Sequence, residues 1–233
     1  MKLLLFDIDG TLLSAGPSPM VAFETAFAEQ FSIAGCWGDT QPHGRTDPDI
    51  VGEICRRVLQ RELNAAELTR LFKRYAVLLE PEISQCQKFR VLPGALALCQ
   101  RLAASERFYL GIETGNIEPA GRIKLARGGL DSFFTFGGWG SDSADRSEIV
   151  RIAIERARSI HDLPNLTYAT DVVVIGDAPQ DIQAGQALGA RTIAVATGRY
   201  GNDELEAHQP TAVLDTLDDI PGFLQAADLT LSP

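Results

Sequence analysis

Two aspartates one residue apart, Asp7 and Asp9, follow the apolar run Leu3-Leu4-Leu5-Phe6 and lead directly into Gly10 and Thr11. In an extended chain a period of two turns both side chains to the same side. Two carboxylates crowded together repel, so the pair makes chemical sense where a divalent cation neutralises it or one member carries a proton. Gly10 permits an abrupt turn after the acids. A second group of acids, Gly176-Asp177-Ala178-Pro179-Gln180-Asp181, follows another apolar run and opens a helix-like segment. Asp177 offers an oxygen ligand to a hard cation, and magnesium is bound through one or two carboxylates plus a substrate phosphate. A third run ends in Glu113-Thr114-Gly115-Asn116. Its hydroxyl, permissive glycine and amide can hydrogen-bond a phosphoryl oxygen at the start of a helix.

These residues need a frame that brings the ends of several strands together. Short Val-, Ile- and Leu-rich runs recur at 2–6, 108–112, 133–136, 172–175, 192–195 and 212–214 and read as buried parallel strands. Helical-period segments lie between them at 94–104, 118–126, 147–158, 179–188 and 218–226. The alternation predicts an α/β fold with a doubly wound, Rossmann-like parallel sheet, whose ligand crevice lies beyond the carboxyl ends of the strands. The stretch 14–90 breaks the rhythm, with helical patterns at 20–30, 48–59 and 65–79 and no convincing strand. It reads as a small helical cap inserted after the first strand, with residues 1–13 and 91–233 forming the catalytic core. Gly16-Pro17-Ser18-Pro19 and Val91-Leu92-Pro93-Gly94 punctuate its entrance and exit. The terminal Leu231-Ser232-Pro233 is expected to fray.

The chain has 233 residues, 45% hydrophobic and 22% charged, which is the composition of a globular protein with no disorder signature. Thirty-one acidic against 21 basic side chains give a net charge of -10, which disfavours nucleic acid and anionic membrane as partners. A small or metal-neutralised substrate fits better. The N-terminal apolar run is interrupted by Asp7 well short of a signal-peptide core. Cys36, Cys55, Cys86 and Cys99 form no C-x-x-C pair, so reduced thiols in a cytoplasmic protein are the expectation. Oligomeric state is not legible.

Together, Asp7-Ile8-Asp9-Gly10-Thr11, Thr114 after the second long run, a Lys or Arg, and Gly176-Asp177 with Asp181 resemble the haloacid dehalogenase superfamily over nearly the whole chain. The place of the insertion resembles the subgroup of phosphoglycolate phosphatases and beta-phosphoglucomutases, whose caps have four or five helices. The resemblance implies that Asp7 attacks phosphorus and forms an aspartyl phosphate, with Asp9 as general acid and base. It also implies Mg2+ held by Asp7, the backbone carbonyl of Asp9, and Asp177, with Asp181 in support, and phosphoryl oxygens held by Thr114, Gly115, Asn116 and a cation. The expected activity is hydrolysis of a small phosphorylated metabolite. A phosphomutase is the alternative, while Asp9 argues against a dehalogenase and against phosphonate cleavage.

For the cation, Arg146 is favoured over Lys124. At about 1.5 Å per residue, a position two turns into a helix starting near Glu118 lies roughly 9 Å behind the strand ends, which points Lys124 away from the chemistry. In the cap, Gly44-Arg45-Thr46-Asp47-Pro48 reads as a loop opening a helix, and Arg45 is expected to grip a substrate anion. Ala178 stands where many relatives carry Ser or Thr, so weaker metal binding is expected. Glu113 is expected to point away by strand alternation, and His43, His161 and His208 to lie on the surface.

Overall fold

The computed structural model describes residues 1–229; the expectation for Leu231–Pro233 lies outside the described residues. Strand β1 (Lys2–Phe6) is followed by the short β2 (Leu13–Ser14) and then by α1 (Ser18–Phe31), α2 (Asp47–Val58) and α3 (Ala65–Gln85). The chain returns through β3 (Arg90–Val91) to α4 (Ala95–Ala103), β4 (Phe108–Glu113), α5 (Glu118–Arg127) and β5 (Phe136–Gly138). There follow α6 (Arg146–His161), α7 (Tyr168–Asp171), β6 (Val172–Gly176), α8 (Pro179–Ala187), β7 (Arg191–Val195), α9 (Asn202–Glu206), β8 (Ala212–Leu214) and α10 (Ile220–Ala226).

Six strands form one parallel sheet in the order β5-β4-β1-β6-β7-β8. This is the doubly wound, Rossmann-like α/β sheet expected from the alternation. Period-two alternation divides β1 between two interiors. Leu4 and Phe6 join the core shared with α4, α5 and α10, whereas Leu3 and Leu5 face Val150, Ala153 and Ile154 of α6. Both faces being covered, β1 has no polar side until it ends at Asp7. Strand order reverses around β1, so the crevice opens where β1, β4 and β6 end.

The helical insertion holds three helices, fewer than the four or five implied by the resemblance. Its α1 and α3 pack through Phe23, Phe27, Leu71, Tyr75 and Leu79, all buried. Helix α3 runs past Pro81 to Gln85, beyond the expected end at Leu79, because Ile83 is buried and anchors the last turn. The paired β2 and β3, Leu13 opposite Val91 and Ser14 opposite Arg90, tie the entrance and exit together where only turns were expected. A second difference lies at 133–136. Residues Asp131–Phe133 form a 3-10 turn and the strand begins only at Phe136, because Phe134 leaves the sheet to pack edge-on against Phe6 at 5.9 Å. Among the described residues no helix is long and apolar enough to cross a membrane.

Candidate active site

The Asp7 N–H donates to the Ile175 carbonyl at 2.8 Å, extending the ladder of β1 by one residue and placing its carboxylate at the sheet's edge. The chain then turns sharply through Gly10 at φ +92°, where a Cβ would lie 2.4 Å from Asp177 Oδ2. Only glycine meets both demands. Asp177 follows β6, and Asp181 sits in the first turn of α8, where its Oδ2 accepts the Ala178 N–H at 3.0 Å. One oxygen from each of Asp7, Asp177 and Asp181 lies within 4.8 Å of the others, and all three residues are buried. Thr11 donates its hydroxyl to Asp177 Oδ1 at 3.3 Å.

Arg146, at the start of α6, reaches beneath this group. Its Nη2 lies 2.9 Å from Asp7 Oδ1 and 2.7 Å from Asp181 Oδ1, while its Nε donates to Glu113 Oε2 at 2.8 Å. Glu113 is fully buried. Alternation does send it to the face opposite Thr114, but that face is the interior beneath α6, so Glu113 faces Arg146 rather than solvent. Burial pushes Asp7 up to about 7, against the pull of Arg146. Burial also raises Asp177 and Glu113 well above the usual carboxylate range. For Arg146 burial opposes the charge, but Glu113, Asp181 and Asp7 outweigh it and keep the guanidinium protonated.

Asp9 faces the other way. Its Oδ2 accepts from Asn116 Nδ2 at 2.8 Å and from Lys124 Nζ at 2.5 Å, and Lys124 also donates to Asn116 Oδ1 at 2.6 Å. The expectation that Lys124 points away from the chemistry is therefore overturned. The rise along α5 locates only its Cα, and the long lysine stem carries the ammonium back to the strand ends. The Asp9 carboxylate, in turn, stands outside the three-acid group. Thr114 is buried, with its Oγ1 accepting from Asn116 Nδ2 at 2.8 Å.

A clasp from the helical insertion holds this loop. The Asp47 N–H donates to the Gly115 carbonyl at 2.8 Å, and Asp47 Oδ2 accepts the Ile117 N–H at 2.8 Å. Burial raises Asp47 to about 6, while Lys124 pulls it down. A Cβ on Gly115 would meet the Arg45 carbonyl at 2.1 Å, so glycine is required for this approach. Arg45 lines the cavity, yet its guanidinium is spent on Asp49 at 2.7 Å and on Glu53. It is not a free anion grip, contrary to expectation. His43, expected on the surface, is exposed but borders the same cavity. Sequence reasoning missed Lys124, Asp47 and Thr197, whose hydroxyl donates to the Gly10 carbonyl at 2.6 Å. A lysine one turn from the end of a short helix and an aspartate at a helix start carry no distinguishing signal by themselves.

The HAD-hydrolase-like family model matches residues 147–220, the stretch that contains Asp177 and Asp181. Over 228 residues the chain is 21% identical to the probable phosphatase IndB of Dickeya dadantii, covering 96% of this chain and 94% of that protein. It is 24% identical over 223 residues to a phosphoglycolate phosphatase of Synechococcus elongatus, covering 94% and 95%. The crystal structure of CbbY from Rhodobacter sphaeroides in complex with phosphate superposes with a TM-score of 0.68 at 19% identity, covering 98% of this chain and all of that one. The chain is similar to haloacid dehalogenase-like hydrolases.

The donor set of this site suits a hard divalent cation. Asp7, Asp177 and Asp181 present only carboxylate oxygens, and with Glu113 they leave four buried acids facing the single guanidinium of Arg146. Oxygen ligands and uncompensated negative charge are what Mg2+ binds. Without a metal, the raised acids Asp7, Asp177 and Glu113 hold protons in the folded chain that the unfolded chain has already released. Their stabilising effect is complete below the ordinary carboxylate values near 4; for Asp7 it is lost as pH rises through about 7, and for Asp177 and Glu113 it persists well above the usual carboxylate range. The melting temperature of metal-free protein is thus expected to fall by about 4 °C or more between pH 5.5 and pH 8. Added magnesium should raise it more at pH 8 than at pH 5.5. Calorimetry in chelator that shows a flat or rising profile would contradict the charge balance described.

Proposed function

We propose that the chain is a magnesium-dependent phosphatase that hydrolyses a small phosphorylated metabolite through an aspartyl phosphate on Asp7. Residues 14–90 act as its cap domain, and residues 1–13 with 91–233 as its catalytic core. The observation that carries this reading is a buried carboxylate, Asp7, beside Asp177 and Asp181 at the floor of a cavity flanked by Arg146 and Lys124. The phosphatase names of the relatives support it.

Asp7 forms a bond to phosphorus as the bond from phosphorus to the leaving oxygen breaks, and Asp9 gives that oxygen a proton. Water then attacks phosphorus, returns a proton to Asp9, and frees Asp7 with release of phosphate. Lys124 and Asn116 hold the Asp9 carboxylate in place and stabilise the anion left after it protonates the leaving oxygen. Thr114, the Gly115 and Asn116 backbone, Lys124 and Arg146 receive the oxygens of the transferring group. Asp7 and Asp177, with the Asp9 carbonyl and Asp181 in support, would hold Mg2+, which supplies charge compensation for the phosphoryl oxygens.

The test is phosphate release from a panel of phosphorylated metabolites that includes phosphoglycolate and hexose phosphates. Excess chelator is expected to abolish it, magnesium to restore it, and calcium to fail because its looser coordination misplaces the phosphoryl group. Full activity in chelator would remove the metal from the mechanism, and no release from any ester would remove the phosphatase reading.

A further inference from the structure

The cavity above the acids encloses about 550 Å3, a volume in the range of pockets, roughly 300–1,000 Å3, that bury drug-sized ligands. A phosphate with a two-carbon alcohol leaves most of it empty. Its two ends differ in chemistry. The floor carries Asp7, Asp9, Thr114, Lys124, Arg146 and Asp177, whereas the roof is walled by Phe23, Trp37, Ile50, Val51, Phe72 and Tyr75. These six come from α1, α2, α3 and the α1–α2 connection, so the whole helical insertion contributes.

The rings are mutually braced. Phe23 meets Trp37 edge-on at 5.7 Å and Tyr75 edge-on at 6.1 Å, which fixes the wall before any ligand arrives. Of the arginines that line the cavity away from the floor, Arg45 and Arg199 are already engaged, and Arg90 is exposed to solvent. Arg45 is spent on Asp49 and Glu53, and Arg199 donates to Gln41 Oε1 at 2.7 Å. The hydroxyls of a sugar would lose their water against this wall with few partners in return, a cost that apolar surface avoids. One polar group does serve the roof. Tyr75 lines the cavity and is 3% exposed, and its hydroxyl finds no hydrogen-bond partner among the described residues, which leaves it free to donate to a ligand.

Resting on the phosphatase reading, we infer that the substrate is a phosphate monoester of an alcohol bearing an aromatic body, which packs against Phe23, Trp37 and Phe72 and accepts a hydrogen bond from Tyr75. The phosphate occupies the floor and the ring the roof. A sugar phosphate or phosphoglycolate is then a poor substrate.

The first measurement compares kcat/KM of the magnesium-loaded enzyme on 2-phenylethyl phosphate, ethyl phosphate and phosphoglycolate. The first two leave as unactivated primary alcohols, so their ratio reads the ring. A preference of about 30-fold or more for the phenyl ester over both others is expected. Equal or better turnover of ethyl phosphate or phosphoglycolate would overturn the inference while leaving the phosphatase reading intact. Phe72→Ala is expected to lower kcat/KM at least about tenfold on the phenyl ester and less than about threefold on ethyl phosphate. Equal losses on both would count against the roof as the ring's site. Binding of 2-phenylethylphosphonate and ethylphosphonate to Asp7→Asn, measured by calorimetry, decides the pocket without turnover. Tighter binding of the phenyl compound by about tenfold or more supports it even where no ester is hydrolysed, a result that would sink only the phosphatase reading. Equal affinities would overturn the aromatic pocket.

Discussion

Asp7→Asn is expected to reduce phosphate release by a factor on the order of 10^4 or more while the protein stays folded. An amide does not attack phosphorus, and no neighbour can substitute. Asp177 and Asp181 are anchored by Thr11 and by the Ala178 N–H, and Glu113 is fully buried and held by Arg146 Nε. The fold should survive because the substitution removes one acid from a group with an excess of them. Arg146 keeps Glu113 and Asp181 as partners. Metal-free Asp7→Asn is therefore expected to melt no lower than the metal-free parent at pH 8, where the raised Asp7 is forced to ionise. Magnesium should stabilise it less than the parent. Residual activity above about one per cent would reject Asp7 as the nucleophile.

The second large effect separates the two cations. Lys124→Ala should cost about a hundredfold in turnover with little change in stability, because among the described residues Lys124 hydrogen-bonds only Asp9 and Asn116 and Asp9 is partly open to solvent. Arg146→Ala should cost at least as much activity and, in addition, about 3–5 kcal/mol of stability. Removing the guanidinium strips fully buried Glu113 of its hydrogen-bond donor and nearly buried Asp181 of its counter-charge. Adding Glu113→Gln to Arg146→Ala is expected to recover part of the stability but none of the turnover. Denaturant melts beside initial rates for the three variants supply the comparison. If Lys124→Ala is fully active, its ammonium serves only to hold Asp9. If Arg146→Ala is stable, the buried charge balance has been misread.

The parts of the site that were legible in the sequence depend on positions along a strand. Asp7, Thr114 and Asp177 each follow the last residues of an apolar run, and a parallel sheet necessarily collects such residues at one edge. Period-two spacing likewise places Asp7 and Asp9 near one another, although their carboxylates then part, one to Arg146 and the other to Lys124. What was not legible depends on reach and on covered faces. Lys124 is misjudged when a helix is reduced to its rise per residue, since a flexible four-carbon stem spans more than a turn. Glu113 is misjudged when the far side of a strand is taken for solvent. In a sheet covered on both faces, alternation chooses between two interiors. Arg45 is placed beside the cavity as its loop position suggests, but its own helix supplies Asp49 and Glu53 to absorb the charge. The i, i+4 relation of Arg45 to Asp49 was there to be read.

The clasp between Asp47 and the loop at Gly115 and Ile117 links two events that might otherwise be separate. Its two hydrogen bonds join the N-terminus of α2 to the loop that carries Thr114 and Asn116, and Asn116 in turn holds Asp9. Lifting the helical roof to admit a ligand would tug on the same peptide groups that orient Asp9, the proposed proton donor. An open molecule would then have a loosened Asp9, and only the shut molecule a competent one. Water that enters while the roof is raised would meet an unprepared centre, so futile turnover would be suppressed by the very contact that shapes the entrance.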